Sequence, residues 1–301
     1  MVSLLAWHQP VLSQLAVRRE SERLSHASLL SVGSDQEAMA FATALPYYLL
    51  CESYNACGSC RACRLLAQGA HSDHHLCQPE GTSKVIKIDQ IRALLAMGAK
   101  TASYPAGKVL VVAPASSLNR NAANALLKFL EEPPTQTYLF LVASKTSQLP
   151  ATVRSRCQRV PLARPSLDQS LEYLREHGLS QTCALEALNL ANGEPLLALD
   201  IEQSGSASAL LNLIDRVQAV LQGGASAREI GIKAQNLEAT LVLSVLIASA
   251  YRNAVDQAER SVLDTRLLTW HKALVDLSET YARSPNINIP LALEQLCVNI
   301  R

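Results

Sequence analysis

Residues 28–163 alternate short β-rich runs with stretches of helical periodicity, and no other feature of the sequence constrains the fold as strongly. This alternation favours an α/β layer with a largely parallel sheet. Five runs are predicted to be strands: Leu29–Val32, Val85–Ile88, Val109–Val112, Tyr138–Ala143 and Gln158–Leu162. The predicted helices lie between them, at residues 36–50, 60–68, 89–99 and 120–132.

The strand pattern ends at Pro165, and the rest of the chain has the leucine-rich and alanine-rich periodicity of helices. The stretch SGSAS at 204–208 has the composition of a linker. We therefore expect an α/β domain over residues 1–163, a small helical domain over 164–204 and an all-α C-terminal domain over 205–301.

The composition disfavours several classes of protein. A net charge of +1 and an aromatic content of 4% indicate neither a strongly basic duplex-binding protein nor a stacking platform for single strands. The N-terminus lacks the apolar core of a secretory signal, and no apolar run is long enough to span a bilayer. We expect a cytoplasmic protein, in which clustered cysteines indicate a metal site rather than disulfides.

Four cysteines are grouped in the segment CESYNACGSCRAC, and these are Cys51, Cys57, Cys60 and Cys63. The C-x2-C-x2-C run lets neighbouring thiolates converge on one tetrahedral ion, with Gly58 relaxing the backbone between them. Four thiolates suit zinc, and a closed site of this kind is structural because it leaves no position for water. An iron–sulfur cluster is the alternative. Four residues just downstream stay open as substitutes for one ligand: His71, His74, His75 and Cys77.

The loop after the first predicted strand stands where an ATP-binding domain carries the phosphate loop G-x-x-x-x-G-K-[ST], but it lacks the chemistry of that loop. Counting from Gly33, the second glycine, the lysine and the Mg²⁺-binding hydroxyl are replaced by Ala38, Met39 and Ala40. Asp35 and Glu37 would repel a phosphate. The run KVLVVAP at 108–114 also ends without the carboxylate that would hold Mg²⁺. ATP hydrolysis by this chain is therefore not expected.

Two segments carry a family resemblance. NAANALLKFLEEPP at 121–134 and YLFLVASKTSQLPATVRSRCQ at 138–158 closely resemble the clamp-loader branch of the AAA+ ATPases, and the four-cysteine segment resembles the zinc insertion of bacterial clamp-loader subunits. The resemblance implies an AAA+-like α/β domain with a zinc module at 51–63, then a small helical lid domain, then a helical collar that forms oligomers. Ser144-Lys145 stand where nucleotide-sensing members carry a Thr/Ser-Asn pair, which fits a subunit that does not read its own nucleotide.

Arg156 is the residue to which the resemblance gives a catalytic role. Leu149, Val153 and Cys157 recur every four residues as one face of a short helix, and Arg156 lies at the edge of that face. In ATPases of this class, a neighbouring subunit supplies an arginine that meets the charge developing on the γ-phosphate. Guanidinium suits this task because it is always charged and presents a planar fork. The resemblance implies that Arg156 acts in trans in this way. From the residues alone, pairing with a local carboxylate is the alternative.

The resemblance also implies partners. The chain would be a non-catalytic subunit of a DNA polymerase III holoenzyme, with no activity of its own and no ATP bound. It would work with gamma/tau-like motor subunits and a delta-like subunit, and indirectly with the sliding clamp and primer–template DNA, away from any membrane. Five apolar residues fit either a subunit interface or a buried core helix: Leu241, Leu243, Val245, Leu246 and Ile247. Two other functions stay open, an ATP-hydrolysing motor of the same superfamily and a zinc-stabilised DNA-binding protein.

Overall fold

The computed structural model describes residues 5–81, 83–259, 265–284 and 286–300. The chain divides into two compact units, Met1–Pro165 and Ser166–Arg301. The further division into a lid at 164–204 and a collar at 205–301 stays a prediction. Within the described ranges, no helix combines the length and the apolar character needed to cross a bilayer.

A five-stranded sheet forms the centre of the first unit, and all of its neighbouring strands run parallel. In chain order the strands are β1 (Ala27–Ser31), β2 (His74–Cys77), β3 (Lys108–Val112), β4 (Thr137–Ala143) and β5 (Gln158–Pro161). Their order across the sheet is β2-β3-β4-β1-β5. The predicted α/β layer with a parallel sheet is confirmed.

One of the five predicted strands is wrong. Residues 85–88 form only an isolated bridge, from Ile86 to Leu118, and a helix begins at Ile88. Ile86 is fully buried, so the apolar residues at 85–88 are explained by a contact with the core and not by a strand. The true strand, β2, lies at the edge of the sheet, and only its last residue, Cys77, is buried. An edge strand that contains two histidines lacks the apolar pattern by which strands are recognised.

Helices cover both faces of the sheet. The helices of the first unit are α1 (Gln9–Glu20), α2 (Asp35–Leu49), α3 (Arg61–Ala67), α4 (Ile88–Gly98), α5 (Arg120–Ala125), α6 (Leu127–Glu131) and α7 (Ala151–Arg154). Successive strand residues point to opposite faces, so that Leu30 and Val142 join a core with α1 and α2. Leu29 and Leu141 join the other core, with α4, α5 and α7. Burial on both faces explains why the central strands are apolar almost throughout.

The second unit is helical throughout its described residues. Its helices are α8 (Leu167–Glu176), α9 (Gln181–Leu190), α10 (Pro195–Gln203), α11 (Ala207–Leu221), α12 (Arg228–Ala234), α13 (Ala239–Glu259), α14 (Thr265–Arg283) and α15 (Ile289–Ile300). One apolar cluster runs through them, from Leu171 to Cys297. Four of the five residues considered for an interface are buried in this cluster, namely Leu241, Leu243, Val245 and Leu246. These four form core, and Ile247 packs half-buried against them.

Candidate functional site

The loop that follows β1 donates a backbone hydrogen bond to the carboxylate of Glu37. Glu37, in the first turn of α2, folds back so that its Oε2 accepts a 2.5 Å hydrogen bond from the backbone N–H of Gly33. Its Oε1 accepts a 2.7 Å hydrogen bond from Nε1 of Trp7 and lies 2.9 Å from Nε2 of His8. Glu37 is only 4% exposed. A carboxylate therefore takes the backbone N–H that, in a phosphate loop, would face a phosphate.

The surroundings of Glu37 favour its charged form. Burial by itself would raise the pKa of Glu37, but the hydrogen bonds from His8, Trp7 and Gly33 outweigh burial and lower the pKa below its usual value. The side chain of Ser34 caps α2 by accepting a 3.1 Å hydrogen bond from the N–H of Glu37. The first turn of α2 thus fixes a negative charge inside the loop.

Asp35 joins the three segments that follow β1, β3 and β4. Its Oδ1 accepts hydrogen bonds from the hydroxyls of Ser116, at 2.9 Å, and Ser144, at 2.5 Å. These segments lie at the carboxyl edge of the parallel sheet, where α/β proteins usually bind their ligands. Met39, at the position of the phosphate-loop lysine, packs partly buried against the apolar core. Asp35, Ser116 and Ser144 are thus bonded to one another at this edge, and the loop after β1 has methionine where a phosphate loop has its lysine.

The four-cysteine segment runs from just after α2 into the first turn of α3, which contains Cys63. Four Sγ atoms lie within 4.8 Å of one another, and they belong to Cys51, Cys57, Cys60 and Cys63. The segment contains three residues with left-handed backbone conformation: Tyr54, Ala56 and Gly58. The Sγ of Cys57 accepts a 3.3 Å hydrogen bond from the N–H of Cys60, and the Sγ of Cys60 accepts one of 3.4 Å from the N–H of Cys63. Backbone N–H groups therefore point at the sulfurs of Cys57 and Cys60.

The thiols of the cluster differ in how easily they lose a proton. Hydrogen bonds from the hydroxyl of Ser59 and the backbone of Cys60 lower the pKa of Cys57 to about 6. Burial raises the pKa of Cys63 above its usual value. The exposed sulfur of Cys57 is thus ready as a thiolate near neutral pH, whereas a metal would have to displace the proton of the buried Cys63.

The cluster fits a metal ion. Tetrahedral zinc with Zn–S bonds of about 2.3 Å would set neighbouring sulfurs about 3.8 Å apart. The Sγ atoms of Cys51 and Cys60 are 4.0 Å apart, close to this value. Four thiolates could hold a metal ion with every tetrahedral position filled. An iron–sulfur cluster would use the same donors.

The downstream alternatives lie outside this cluster. In the part of the chain that the structure describes, only the four cysteines form a group of metal-ligating side chains within reach of one ion. His71 is engaged elsewhere, since its Nδ1 accepts a 3.2 Å hydrogen bond from the N–H of Asp73 and its ring packs on Tyr104. Cys77 is buried in β2. Cys51, and none of the four downstream residues, lies in the group of sulfurs that could hold a metal ion.

Arg156 lies at the surface, just after α7. The predicted apolar stripe is buried and consists of Leu149, Val153 and Cys157. Oε1 of Glu131 lies 2.8 Å from Nη2 of Arg156 and accepts a 3.0 Å hydrogen bond from its Nε. Nη1 donates a 3.0 Å hydrogen bond to the carbonyl oxygen of Thr152. Arg156 therefore does pair with a local carboxylate, yet its side chain remains 39% exposed.

Three residues that complete these sites are not predicted by the sequence pattern: Trp7, His8 and Glu131. Trp7 and His8 reach Glu37 from 30 and 29 residues away, and no local pattern signals such a contact. For Glu131, the sequence did contain a feature that could have indicated an ion pair. This residue lies in the segment NAANALLKFLEEPP, where a pair of acidic residues stands next to a helix end.

Comparison with known proteins gives the family. A family model described as DNA polymerase III, delta subunit, matches residues 7–166, which is more than half of the 301 residues. The delta-prime subunit of DNA polymerase III from Pseudomonas aeruginosa is 35% identical over 227 residues, which cover 74% of this chain and 68% of that protein. The delta-prime subunit from Escherichia coli is 36% identical over 203 residues, covering 65% of this chain and 60% of that protein.

Two solved structures align with almost the whole chain. A DNA polymerase III gamma subunit-related protein from Thermotoga maritima has 19% identity and a TM-score of 0.48, with 96% of this chain and 98% of that chain covered. The DNA clamp loader delta protein of Bacillus subtilis has 10% identity and a TM-score of 0.34, with 96% and 99% covered. The extent of the family match and the identity to the curated relatives decide the assignment: this chain belongs to the delta-prime subunit family of DNA polymerase III.

Proposed function

We propose that this chain is a non-hydrolysing subunit of the DNA polymerase III clamp loader, and that it supplies Arg156 to the ATP of a neighbouring ATPase subunit while the complex loads the sliding clamp on primed DNA. The observation that carries the first part is the hydrogen bond between Gly33 and Glu37. The Glu37 carboxylate competes with phosphate for the same N–H donor and repels it. Met39 and Ala40 offer neither the cation nor the hydroxyl that would compensate.

The position of Arg156 supports the second part. An arginine that acts across a subunit boundary must be exposed and must carry N–H groups free to meet phosphate oxygens. Arg156 is partly exposed, and its backbone segment is anchored to the core by Val153 and Cys157. The partners of the chain would be gamma/tau-like motor subunits and a delta-like subunit, in the cytoplasm.

The four cysteines would hold a structural zinc ion. Because the four thiolates would fill every position and extend from just after α2 to the first turn of α3, the ion would fix the connection between these helices and would take no part in a reaction. In the second unit, residues 164–204 would form the lid and residues 205–301 the collar that holds the subunits together.

Nucleotide binding by the purified full-length chain tests the first part. We expect no calorimetric signal on titration with Mg-ATP and no phosphate release. Tight binding with turnover would overturn the proposal and support the alternative of an ATP-hydrolysing motor. A strongly salt-dependent affinity of the isolated chain for DNA would support the DNA-binding alternative.

ATP hydrolysis by the reconstituted complex tests the second part. Arg156→Ala should leave assembly intact and should slow hydrolysis at the adjoining site by about 10³-fold or more. Arg159→Ala is the matched control, because Arg159 is an exposed arginine three residues along the same segment. Normal hydrolysis and clamp loading by the Arg156→Ala complex would show that Arg156 is not the finger.

A further inference from the structure

Glu131 and Arg156 are separated by 25 residues in the sequence and form an ion pair at the surface of the first unit. Glu131 is the last residue of α6, and Pro133-Pro134 follow closely and prevent the helix from continuing. Arg156 follows α7, whose Val153 is fully buried. Both ends of the pair are therefore attached to backbone that the core holds in place.

The geometry of the pair uses only part of the guanidinium. Oε1 of Glu131 contacts the side of the guanidinium formed by Nε and Nη2. The carbonyl oxygen of Thr152 takes one N–H of Nη1. A guanidinium carries five N–H donors, two of them on each terminal nitrogen. At least one N–H on each of the two terminal nitrogens is therefore left without a hydrogen bond to any described residue.

The two remaining donors suit a phosphate. A guanidinium binds phosphate best when two N–H groups donate side by side, and planarity makes the orientation of the whole group matter. Glu131 and Thr152 together fix both the plane and the rotation of the fork. An unrestrained arginine would have to lose rotamer freedom each time it met the phosphate.

The pair contributes little to folding. The side chains of Arg156 and Glu131 are 39% and 53% exposed, and exposed ion pairs contribute little to stability. A loss of function on removing Glu131 could therefore not be explained by unfolding.

We propose that Glu131 is a positioning residue for Arg156, which holds the guanidinium with its two unbonded N–H groups directed outward toward the nucleotide of the neighbouring subunit. The inference rests on the proposed function of Arg156. It assigns to Glu131 no contact with ATP.

The experiment measures ATP hydrolysis by the reconstituted complex with Glu131→Ala, Glu131→Gln and Arg156→Ala. Glu132→Ala is the matched control, because Glu132 is the exposed neighbour of Glu131 and has no ion pair with a basic residue in the described part of the chain. The rate that depends on Arg156 is the wild-type rate minus the rate of the Arg156→Ala complex, which removes the contribution of other sites.

Glu131→Ala should lower the Arg156-dependent kcat by about 10-fold to 100-fold and leave KM for ATP unchanged, because the neighbour binds ATP with its own loop. Glu131→Gln keeps an oxygen acceptor and should retain an intermediate rate. The double variant Glu131→Ala with Arg156→Ala should equal Arg156→Ala alone, since Glu131 acts only through the arginine.

Three outcomes overturn the inference. The first is a wild-type rate of ATP hydrolysis for Glu131→Ala, and the second is a faster rate for Glu131→Ala, which would show that Glu131 restrains the arginine. The third is a rate for the double variant that is lower than the rate for Arg156→Ala alone. If Arg156→Ala itself has no effect, the proposed function fails first. A rate that falls with Arg156→Ala but not with Glu131→Ala removes only the role of Glu131.

Discussion

The indole N–H of Trp7 donates a 2.7 Å hydrogen bond to the Glu37 carboxylate, which also accepts the backbone N–H of Gly33. One buried side chain thus joins the segment that precedes α1 to the loop that follows β1. Trp7 and Glu37 are each about 4% exposed. Removal of the carboxylate would leave buried donors without an acceptor, and this makes the contact open to direct measurement.

Glu37→Ala should lower the free energy of unfolding by about 3 kcal/mol, because the N–H groups of Trp7 and Gly33 lose their acceptor inside the protein. Urea denaturation of the full chain measures the change. Glu20→Ala, at an exposed position of α1, is the control. A loss for Glu37→Ala no larger than that of the control would contradict the structural role of the carboxylate.

His74 should make the protein less stable in mild acid. Desolvation of its half-buried ring, together with the nearby His75 and His71, lowers the pKa of His74 to about 4 from its ordinary 6.5. Above pH 6.5 the imidazole is neutral in both states and has no effect. Between pH 6.5 and 4 the unfolded chain takes up a proton that the folded chain does not, so stability falls by up to about 3 kcal/mol as the pH falls.

Comparison with His74→Gln isolates this effect, since acid also protonates the cysteine thiolates in both proteins. Unfolding free energies at several pH values between 6.5 and 4 should fall less steeply for the variant. His177→Gln, at an exposed position, controls for the loss of an imidazole. Identical slopes for wild type and His74→Gln would rule out this role of His74.

The cysteine cluster should contain one zinc ion per chain. Elemental analysis of the purified protein should find zinc in the wild type and in Cys183→Ser, whose cysteine lies outside the cluster. Cys60→Ser should lose the metal and should melt at a lower temperature, because metal binding contributes to folding stability. Iron and sulfide in place of zinc would identify the cluster as an iron–sulfur site, and a metal-free wild type would refute the zinc proposal.

Gly107 should tolerate alanine much less well than Gly69. Both glycines have left-handed backbone, with φ of +75° at Gly107 and +65° at Gly69. A Cβ at Gly69 would meet open space, whereas a Cβ at Gly107 would collide with the carbonyl oxygen of Gln136. We expect a loss of about 1 kcal/mol for Gly69→Ala and of about 3 kcal/mol or more for Gly107→Ala. Equal losses in urea denaturation would show that the backbone at Gln136 moves freely.

The sequence predicted best those features that depend on local spacing. β-rich runs placed β1, β3, β4 and β5, and the spacing of the cysteines anticipated that Cys57, Cys60 and Cys63 lie together. It failed at β2, because the histidine-rich edge strand His74–Cys77 lacks an apolar pattern. The periodicity of α13 located a buried helix but could not distinguish a core within one chain from an interface between chains.

Long-range polar contacts were beyond the reach of the pattern. The absence of lysine at Met39 indicated that the loop was unsuited to phosphate, yet nothing near Glu37 indicated that Trp7 would donate to it. For Arg156, the sequence predicted that a nearby carboxylate could be its partner, but not that this carboxylate would be Glu131. Such pairs depend on how α2 packs against the segment that begins at Trp7, and on how α6 packs against α7, which local periodicity does not encode.

The carboxylates of Asp35 and Glu37 have a thermodynamic consequence for the segments they connect. A solute can shift a conformational equilibrium only to the extent that it binds one state better than the other. Both carboxylates are covalent parts of the chain, so their occupancy of this edge does not depend on the concentration of any metabolite. The segments after β1, β3 and β4 should therefore keep one arrangement whether the surrounding solution contains ATP, ADP or neither.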